Sequence, residues 1–418
     1  MSSIADSRLL LCTGLLALAS TPLQALQELK GTNFKAALAL YRENRLGEAL
    51  PLFEEAVAED STNPTTLAWL AETLRRVERA ESAVVVARRA LVLSPCHAFA
   101  HGVIGVAYNP QYGTGLESYD TAWVHLSRAV TCDPEDGNGW LNIWSEALRR
   151  GDRTIEERAL RRLRETNFFS GVTLAYNRWF LRDLPPNAVI LTNGDVDTYP
   201  ALAFQLKDGL RRDVAVVNTS MLNLWWYVQL VHTRYGLPLP ADSATLATRP
   251  MCGSGGADSV CLAALVLGEW RRLAFAGTLK RPLAALVESS VPSGPGVLVR
   301  TGPVALLRSS APSPLDTAAV WRSLRGLDPH DFAGPGTSPM DRSAVRISSA
   351  TTQGFLLHVA WVAVLYGGEL LRAQRLRDAR QLLEWLRRFE RESGMDTPQG
   401  REIVDGYARD VAAAEREP

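Results

Sequence analysis

The sequence predicts an α+β multidomain protein with an N-terminal α-solenoid of repeated helix pairs, a small α/β domain with parallel strands, and a C-terminal helical hairpin. Three observations carry that prediction. Small and apolar residues recur at a spacing of 34 in the first half, as from Ala49 to Ala83. Two short apolar runs near positions 190 and 215 then bracket a segment of helical spacing. Helical spacing returns at 355–392, after a stretch rich in Pro, Ser and Gly.

The chain of 418 residues has room for two or three domains with cores of their own. A hydrophobic content of 46% excludes wholesale disorder. Lys plus Arg equals Asp plus Glu at 45 each, so the basic excess expected of a nucleic-acid binder is missing and no nucleic-acid partner is expected.

At the N-terminus, Arg8 precedes an apolar run at 9–19, broken only by Thr13 and Gly14. Ala17-Leu18-Ala19 or Leu23-Gln24-Ala25 supplies small residues for cleavage, so residues 1–25 read as a secretory signal peptide. A buried N-terminal helix is the other reading. The run is too short to span a bilayer comfortably. Leu9-Leu10-Leu11 before Cys12 argues against a lipoprotein cysteine. No later segment reaches 18 consecutive apolar residues, and the run at 355–367 is interrupted by His358. The processed chain is therefore expected to be periplasmic or secreted by bacterial-type export. It is expected not to span a membrane, with association to the envelope left open. Four cysteines remain after cleavage, Cys96, Cys132, Cys252 and Cys261, an even number that permits two disulfides in an oxidising compartment.

The repeats occupy residues 33–168. Ala49, Phe53 and Ala56 recur as Ala83, Ala87 and Ala90, and again as Ala122, Leu126 and Ala129. Pro64, Pro95 and Pro134 follow the three sets. Ala71 and Gly105 take the small position of the first helices, and Trp140-Leu141-Asn142-Ile143-Trp144 opens a looser fourth unit. The pattern resembles the tetratricopeptide repeat, in which small residues let two antiparallel helices approach and a proline closes the unit. The third unit departs from it, because residues 109–118 lengthen its turn and carry Tyr112 beside Tyr108. Such an insertion emerges on one face and either touches a partner or is a plain longer loop. The resemblance implies a groove for a protein partner. It also pairs Cys96, before the first helix of the third unit, with Cys132 at the end of its second.

The α/β domain is expected over 172–310. The runs at 187–193 and 213–218 read as buried strands, and 198–210 between them as a helix, which together imply a right-handed parallel crossover. A helix follows at 221–235, then strand-like segments at 282–288, 296–300 and 303–308. Cys252 and Cys261 flank a Gly- and Ser-rich stretch able to close a small disulfide loop.

Leu184-Pro185-Pro186-Asn187-Ala188-Val189-Ile190-Leu191-Thr192-Asn193-Gly194-Asp195, followed by Asp197-Thr198-Tyr199-Pro200, carries a second resemblance. Arg212-Asp213-Val214, Asn218-Thr219-Ser220-Met221-Leu222-Asn223, Trp226-Tyr227, Lys280-Arg281-Pro282 and Val299-Arg300-Thr301-Gly302 continue it. Over about 175–310 the chain resembles the soluble tail domain of a bacterial membrane family related to protein O-mannosyltransferases. That family's glycosyl transfer is assigned to its membrane portion, which this sequence lacks, and Val196 stands where the family usually has Asn.

Asn193, Asp195 and Asp197 lie just past the first strand, and Asn218 and Ser220 just past the second. In an open parallel sheet those positions surround the ligand crevice. Two carboxylates two residues apart could hold a divalent cation with a carbonyl and waters. The competing reading is that the aspartates cap the next helix while Asn218 and Ser220 shape a turn.

Other motifs are weaker. Gly253-Ser254-Gly255-Gly256 lacks the Lys of a phosphate loop, and Ser259 has no nucleophile-elbow context. His97 and His101 stand at zinc-compatible spacing but read as packing without further ligands. Trp225-Trp226-Tyr227 reads as helix core. Residues 311–348 form a loop-rich connection around one short helix, and 350–415 are helical. The sequence shows no complete catalytic motif and implies no cofactor. It points to an exported protein-binding or envelope-assembly protein that uses a tetratricopeptide groove. The rivals are a ligand-binding or glycan-related enzyme with its site at the Asp195/Asp197 crevice, and a structural module linking envelope proteins.

Overall fold

The computed structural model describes residues 31–252, 260–333, 349–395 and 397–416. The expected signal peptide, the Gly253-Ser254-Gly255-Gly256 stretch, Ser259 and residues 334–348 lie outside them.

Four helix pairs form the first half: α1 (Thr32–Arg42) with α2 (Leu46–Glu59), α3 (Pro64–Arg76) with α4 (Ala80–Leu93), α5 (Ala98–Tyr108) with α6 (Tyr119–Cys132), and α7 (Gly137–Arg150) with α8 (Arg153–Glu165). This is the tetratricopeptide α-solenoid. Ala37, Ala49, Ala71, Ala83 and Ala122 are wholly buried, because the two helices of a pair approach too closely for larger side chains. Asn63 caps α3, accepting from the Thr65 and Thr66 N–H groups, with Pro64 at the first helical position where no donor is needed. A disulfide joins Cys96 to Cys132 with the Cα atoms 5.3 Å apart, tying the entry of α5 to the end of α6 as the antiparallel repeat implies. His97 and His101 do not face each other. His97 caps α5 by accepting from the Ala100 N–H, while His101 Nδ1 meets His125 Nδ1 of α6 at 2.9 Å.

After α9 (Gly171–Asp183) come β1 (Val189–Thr192), α10 (Asp195–Asp208), β2 (Ala215–Asn218), α11 (Trp225–Tyr235), the short α12 (Ser243–Ala247), α13 (Leu262–Phe275), β3 (Leu283–Ala285), β4 (Val297–Arg300) and β5 (Ala305–Arg308). The sheet order is β2-β1-β3-β5-β4. β1 pairs in parallel with both β2 and β3, Val189 facing Ala215 and Leu283, while β5 runs antiparallel to β3 and β4. The chain passes from β1 to β2 on one side and from β2 back across β1 to β3 on the other, so the strand order reverses at β1 and opens a crevice at the carboxyl ends. Cys252 and Cys261 are disulfide-bonded ahead of α13, with Cα atoms 4.9 Å apart.

Side-chain alternation gives the sheet two buried faces. Ile190, Val216, Ala284 and Leu306 pack with Trp179 and Phe180 of α9, with α14 (Thr317–Arg325), and with α15 (Ser349–Arg372), α16 (Leu376–Ser393) and α17 (Pro398–Ala414). Val189, Leu191, Ala215, Val217 and Leu283 pack with Trp270 of α13, Tyr227 of α11, and Trp144, Leu160 and Leu163 of the fourth repeat. The first two repeats and α5 share a core of their own around Phe53, Trp69 and Ile104.

Two expectations need amending. α17 joins the C-terminal hairpin as a third helix, its Tyr407 filling the space that a side chain at Gly367 would need. By length and composition Thr352–Arg372 is apolar enough to cross a bilayer, because it runs on past the 355–367 run through Gly368, Leu370 and Leu371. Leu356, Val359, Ala360, Val362, Ala363, Tyr366 and Leu370 of that helix are buried against the sheet side and the helices after it, a packing role that also demands apolar residues.

Gly105 shows how tightly the repeats are closed. A Cβ there would lie 2.7 Å from Leu126 Cδ2 and 3.1 Å from the Leu126 backbone nitrogen. Gly105→Ala is expected to destabilise the chain by about 1–3 kcal/mol through overpacking, measured as a lower denaturation midpoint; an unchanged midpoint would mean that α5 and α6 separate freely.

Candidate functional site

The carboxyl ends of the parallel strands are tied together by side chains. The Asn193 side-chain oxygen accepts from Thr219 Oγ1 at 3.0 Å and from Ser290 Oγ at 2.6 Å, linking the ends of β1, β2 and β3. Asn218 Oδ1 accepts from the Ser220 and Met221 N–H groups at 3.0 and 3.2 Å, closing a turn, while its Nδ2 donates to Thr198 Oγ1 at 3.1 Å. Ser220 Oγ donates to the Asn193 carbonyl at 3.2 Å. The turn-forming reading of Asn218 and Ser220 therefore describes their hydrogen bonds.

The two aspartates diverge. Asp197 is buried and accepts from the Asn193 N–H at 2.9 Å and the Gly194 N–H at 2.8 Å. It supplies half of a capping box for α10, the other half being absent because Gly194 has no side chain. Burial raises its pKa, and the two backbone amides oppose that rise. Asp195, at the first position of α10, lines a pocket of about 310 Å³ on the repeat side. Although its residue surface is largely exposed, the crowding around its carboxyl group pushes the pKa up to about 6, with Asp197 adding to the rise. Because the carboxylates face apart, no shared cation geometry forms between them. Among the described residues no group of three His, Cys, Asp or Glu could hold a metal ion.

Asn193, Asp195, Asn218 and Ser220 all line the repeat-side pocket, and Asp197 does not. The repeats add Leu141, Asn142 and Ser145 of α7 and Gln111 and Tyr112 of the third-unit insertion, and the α/β domain adds Tyr199, Met221, Leu224 and Met251. The insertion forms a 3-10 turn, Pro110–Tyr112, fixed by Asn109 accepting from the Gln111 N–H. Sequence reasoning flagged the insertion, but nothing in the sequence placed α7 against the strand ends.

From this pocket a polar row leads along the first helices of the repeats. Glu72 of α3 is buried and accepts from Arg75 Nε and Nη2 at 2.8 and 2.7 Å and from the Tyr41 hydroxyl of α1 at 3.0 Å. Arg76 donates to Asn44 Oδ1 at 2.9 Å. Tyr112 continues the row. Its ring keeps 46% of its surface exposed, yet its hydroxyl is close enough to Asp195 and Arg75 to feel both. Burial pushes that phenol up to about 12, Asp195 reinforcing the shift and Arg75 opposing it.

Residues 173–245, from α9 to α12, match the model of TMEM260-associated domain 2. None of the curated proteins matches the chain. Among solved structures, a thermophilic TPR protein of Thermus thermophilus is similar at 23% identity, covering 32% of this chain and 76% of that one, with a TM-score of 0.28. MamA is similar at 14% identity, covering 47% and 92%, with a TM-score of 0.27. A Naa15/Naa10 complex bound to HypK-THB is similar at 13% identity, covering 91% and 54%, with a TM-score of 0.28.

The divergence of the aspartates separates their substitutions. Asp197→Ala leaves two amides at the start of α10 without their acceptor and is expected to cost about 1 kcal/mol or more. Asp195 behaves oppositely. Its folded pKa lies above the ordinary value, so between about pH 4 and about pH 6 the native state binds more protons than the unfolded one, and stability falls as pH rises through that window. Asp195→Asn should therefore melt at or above the parent protein at pH 7, with the difference fading towards pH 4. Melting curves at both pH values check this, and a destabilised Asp195→Asn at pH 7 would assign that carboxylate a structural role.

Proposed function

We propose that the chain is an exported binding or assembly protein of the periplasm or extracellular space, whose repeat groove holds a segment of a partner protein. The observation that carries this reading is the third-unit insertion, which sets Gln111 and Tyr112 opposite the strand ends. The groove and the α/β crevice thereby share a wall, and a bound segment running along α1, α3 and α5 ends at Asp195, Asn142 and Ser145. The pocket offers an unpaired carboxylate and several amides and hydroxyls, a chemistry suited to a terminal amine, a lysine or a backbone. Export is supported by the apolar N-terminal pattern in residues 1–25 and by the two disulfides, which persist in oxidising compartments. The balanced charge of the chain leaves nucleic acid without an electrostatic footprint.

The rival reading, a ligand-binding or glycan-related enzyme at the Asp195/Asp197 crevice, draws on the raised pKa of Asp195. Against it, Asn193, Asn218 and Ser220 of that crevice are committed to the strand-end network.

Two measurements test the proposal. Terminal sequencing of the protein from an envelope fraction should find a chain starting after position 19 or 25, and a start at Met1 would overturn export. Affinity capture from that fraction should recover a discrete partner. Tyr112→Ala should weaken its binding by about tenfold or more, as loss of a central aromatic contact does. Capture that is indifferent to Tyr112→Ala and to Asn142→Ala would place the partner elsewhere.

A further inference from the structure

Asp195 is the single charged side chain among the described residues that line the repeat-side pocket. Among the described residues its carboxyl group has no hydrogen bond and no ion pair. The Arg75 guanidinium is near enough to act on Tyr112, yet it is held by Glu72, which acts on the same phenol in the opposite sense. Arg149, one turn beyond Ser145 on α7, is likewise held by Glu146, at 2.9 and 2.6 Å. Two phenols converge on the carboxyl group. Tyr199 follows it by one turn of α10, is buried, and meets Trp144 edge-on at 4.6 Å. Burial lifts the Tyr199 pKa well above the usual value, and Asp195 and Tyr112 add to the rise, so the three groups stand within electrostatic reach of one another. Tyr199 Oη and the Asn142 side-chain amide have no hydrogen bond among the described residues.

Asp197 offers a contrast. It faces a separate cavity, of about 610 Å³, where α9, the segment after β3, the end of β4 and the start of α15 meet. The aromatic wall of that cavity is built from Tyr176, Phe355 and Trp361. There Arg300 donates to Glu288 at 3.1 and 2.7 Å and lies 5.0 Å from the Trp361 ring centre, so the chain supplies that cavity with a cation of its own. The described lining of the Asp195 pocket holds none.

Charge therefore selects the ligand. An anion would be repelled by Asp195, and a neutral ligand would cover a carboxylate without compensating it. A divalent metal needs several oxygen ligands, and no group of three His, Cys, Asp or Glu among the described residues could hold one. A primary ammonium brings one positive charge and three donors. Asp195, Asn142 Oδ1 and Tyr199 Oη are acceptors for them, and tyrosine rings attract a cation in addition. Leu141, Met221, Leu224 and Met251 give the pocket an apolar wall for the methylenes that carry the nitrogen. Building on the groove reading, we propose that this pocket anchors the partner segment by a primary ammonium group on an apolar stem, either a lysine side chain or a free amino terminus.

The test is calorimetry on the processed full chain near pH 7, where both the amine and Asp195 are charged. Two probes separate the sources: N-acetyl-lysine methylamide carries only the side-chain ammonium, and alanyl-alanine amide only the terminal one. At least one should bind saturably, with a dissociation constant in the millimolar range or tighter. Asp195→Asn should weaken it by about tenfold or more, and Asn142→Ala or Tyr199→Phe should weaken it measurably. N-acetyl-norleucine methylamide, which keeps the stem and lacks the nitrogen, should bind at least about tenfold more weakly than the lysine probe if the lysine probe is the one held. Trp361→Ala, in the other cavity, should change nothing. Absence of binding by both amines would overturn the inference. So would binding indifferent to Asp195→Asn, Asn142→Ala and Tyr199→Phe alike, norleucine binding as tightly as lysine, or N-acetyl-arginine methylamide binding more tightly than either amine. Partner capture that still depends on Tyr112 while neither amine binds would sink this inference and leave the groove reading standing. Asp195-dependent amine binding with no captured partner would uphold the ammonium site and overturn the groove reading.

Discussion

The structure depends on the burial of one face of a small sheet beneath the fourth repeat. β1, β2 and β3 are only three or four residues long and apolar on both sides, so both faces must be covered. α9, α14 and the C-terminal helices cover one face. α11, α13 and the fourth repeat cover the other, with Trp144, Leu160 and Leu163 meeting Val189, Leu191 and Val217. The repeats and the α/β domain are consequently one packed body, and cutting between them near 168 would expose Phe168 and Phe169, both now buried in that shared core.

That packing decides where polar chemistry can stand. Once α7 lies on the sheet, its Asn142 and Ser145 come to the carboxyl ends of the strands, and the insertion before α6 comes with them. The strand ends answer with a network in which Asn193, Asn218, Thr219 and Ser290 satisfy one another. Asp197 faces the α15 side and Asp195 the repeat side, so one helix start supplies a carboxyl group to two separate pockets. The reversal of strand order at β1 makes this possible, since β1 alone has a parallel neighbour on each side.

Much of the architecture was legible in the sequence because local patterns and packing agree. The spacing of small residues located the repeats, short apolar runs bounded by Pro and Gly located all five strands, and the antiparallel repeat brought Cys96 to Cys132. Besides the short α12, two longer helices escaped notice although their patterns were present. Val172, Ala175, Tyr176, Trp179 and Phe180 mark the buried face of α9, and Leu262, Val266 and Trp270 that of α13. Each follows a loop-like stretch that drew attention to turns. The site was legible only as a set of positions. Adjacent carboxylates in sequence suggested a common target, whereas the first helical turn sends residues two apart to different sides.

The C-terminal helices draw the two cavities into one physical scheme. α15 is apolar enough to satisfy a bilayer, yet its apolar face is taken up by the sheet side, and its His358 and Trp361 turn towards the cavity at β3. Tyr176 reaches that cavity from α9, whose other buried residues pack beneath the sheet, so the aromatic wall rests on the same core that positions the strand ends. The cavity at Trp361 and the pocket at Tyr112 therefore sit on opposite sides of β1, connected by Asn193, Gly194 and the two carboxylates. Coupling between them would have to pass through the start of α10. Asp197 is held there by the same backbone amides that set the position of Asp195.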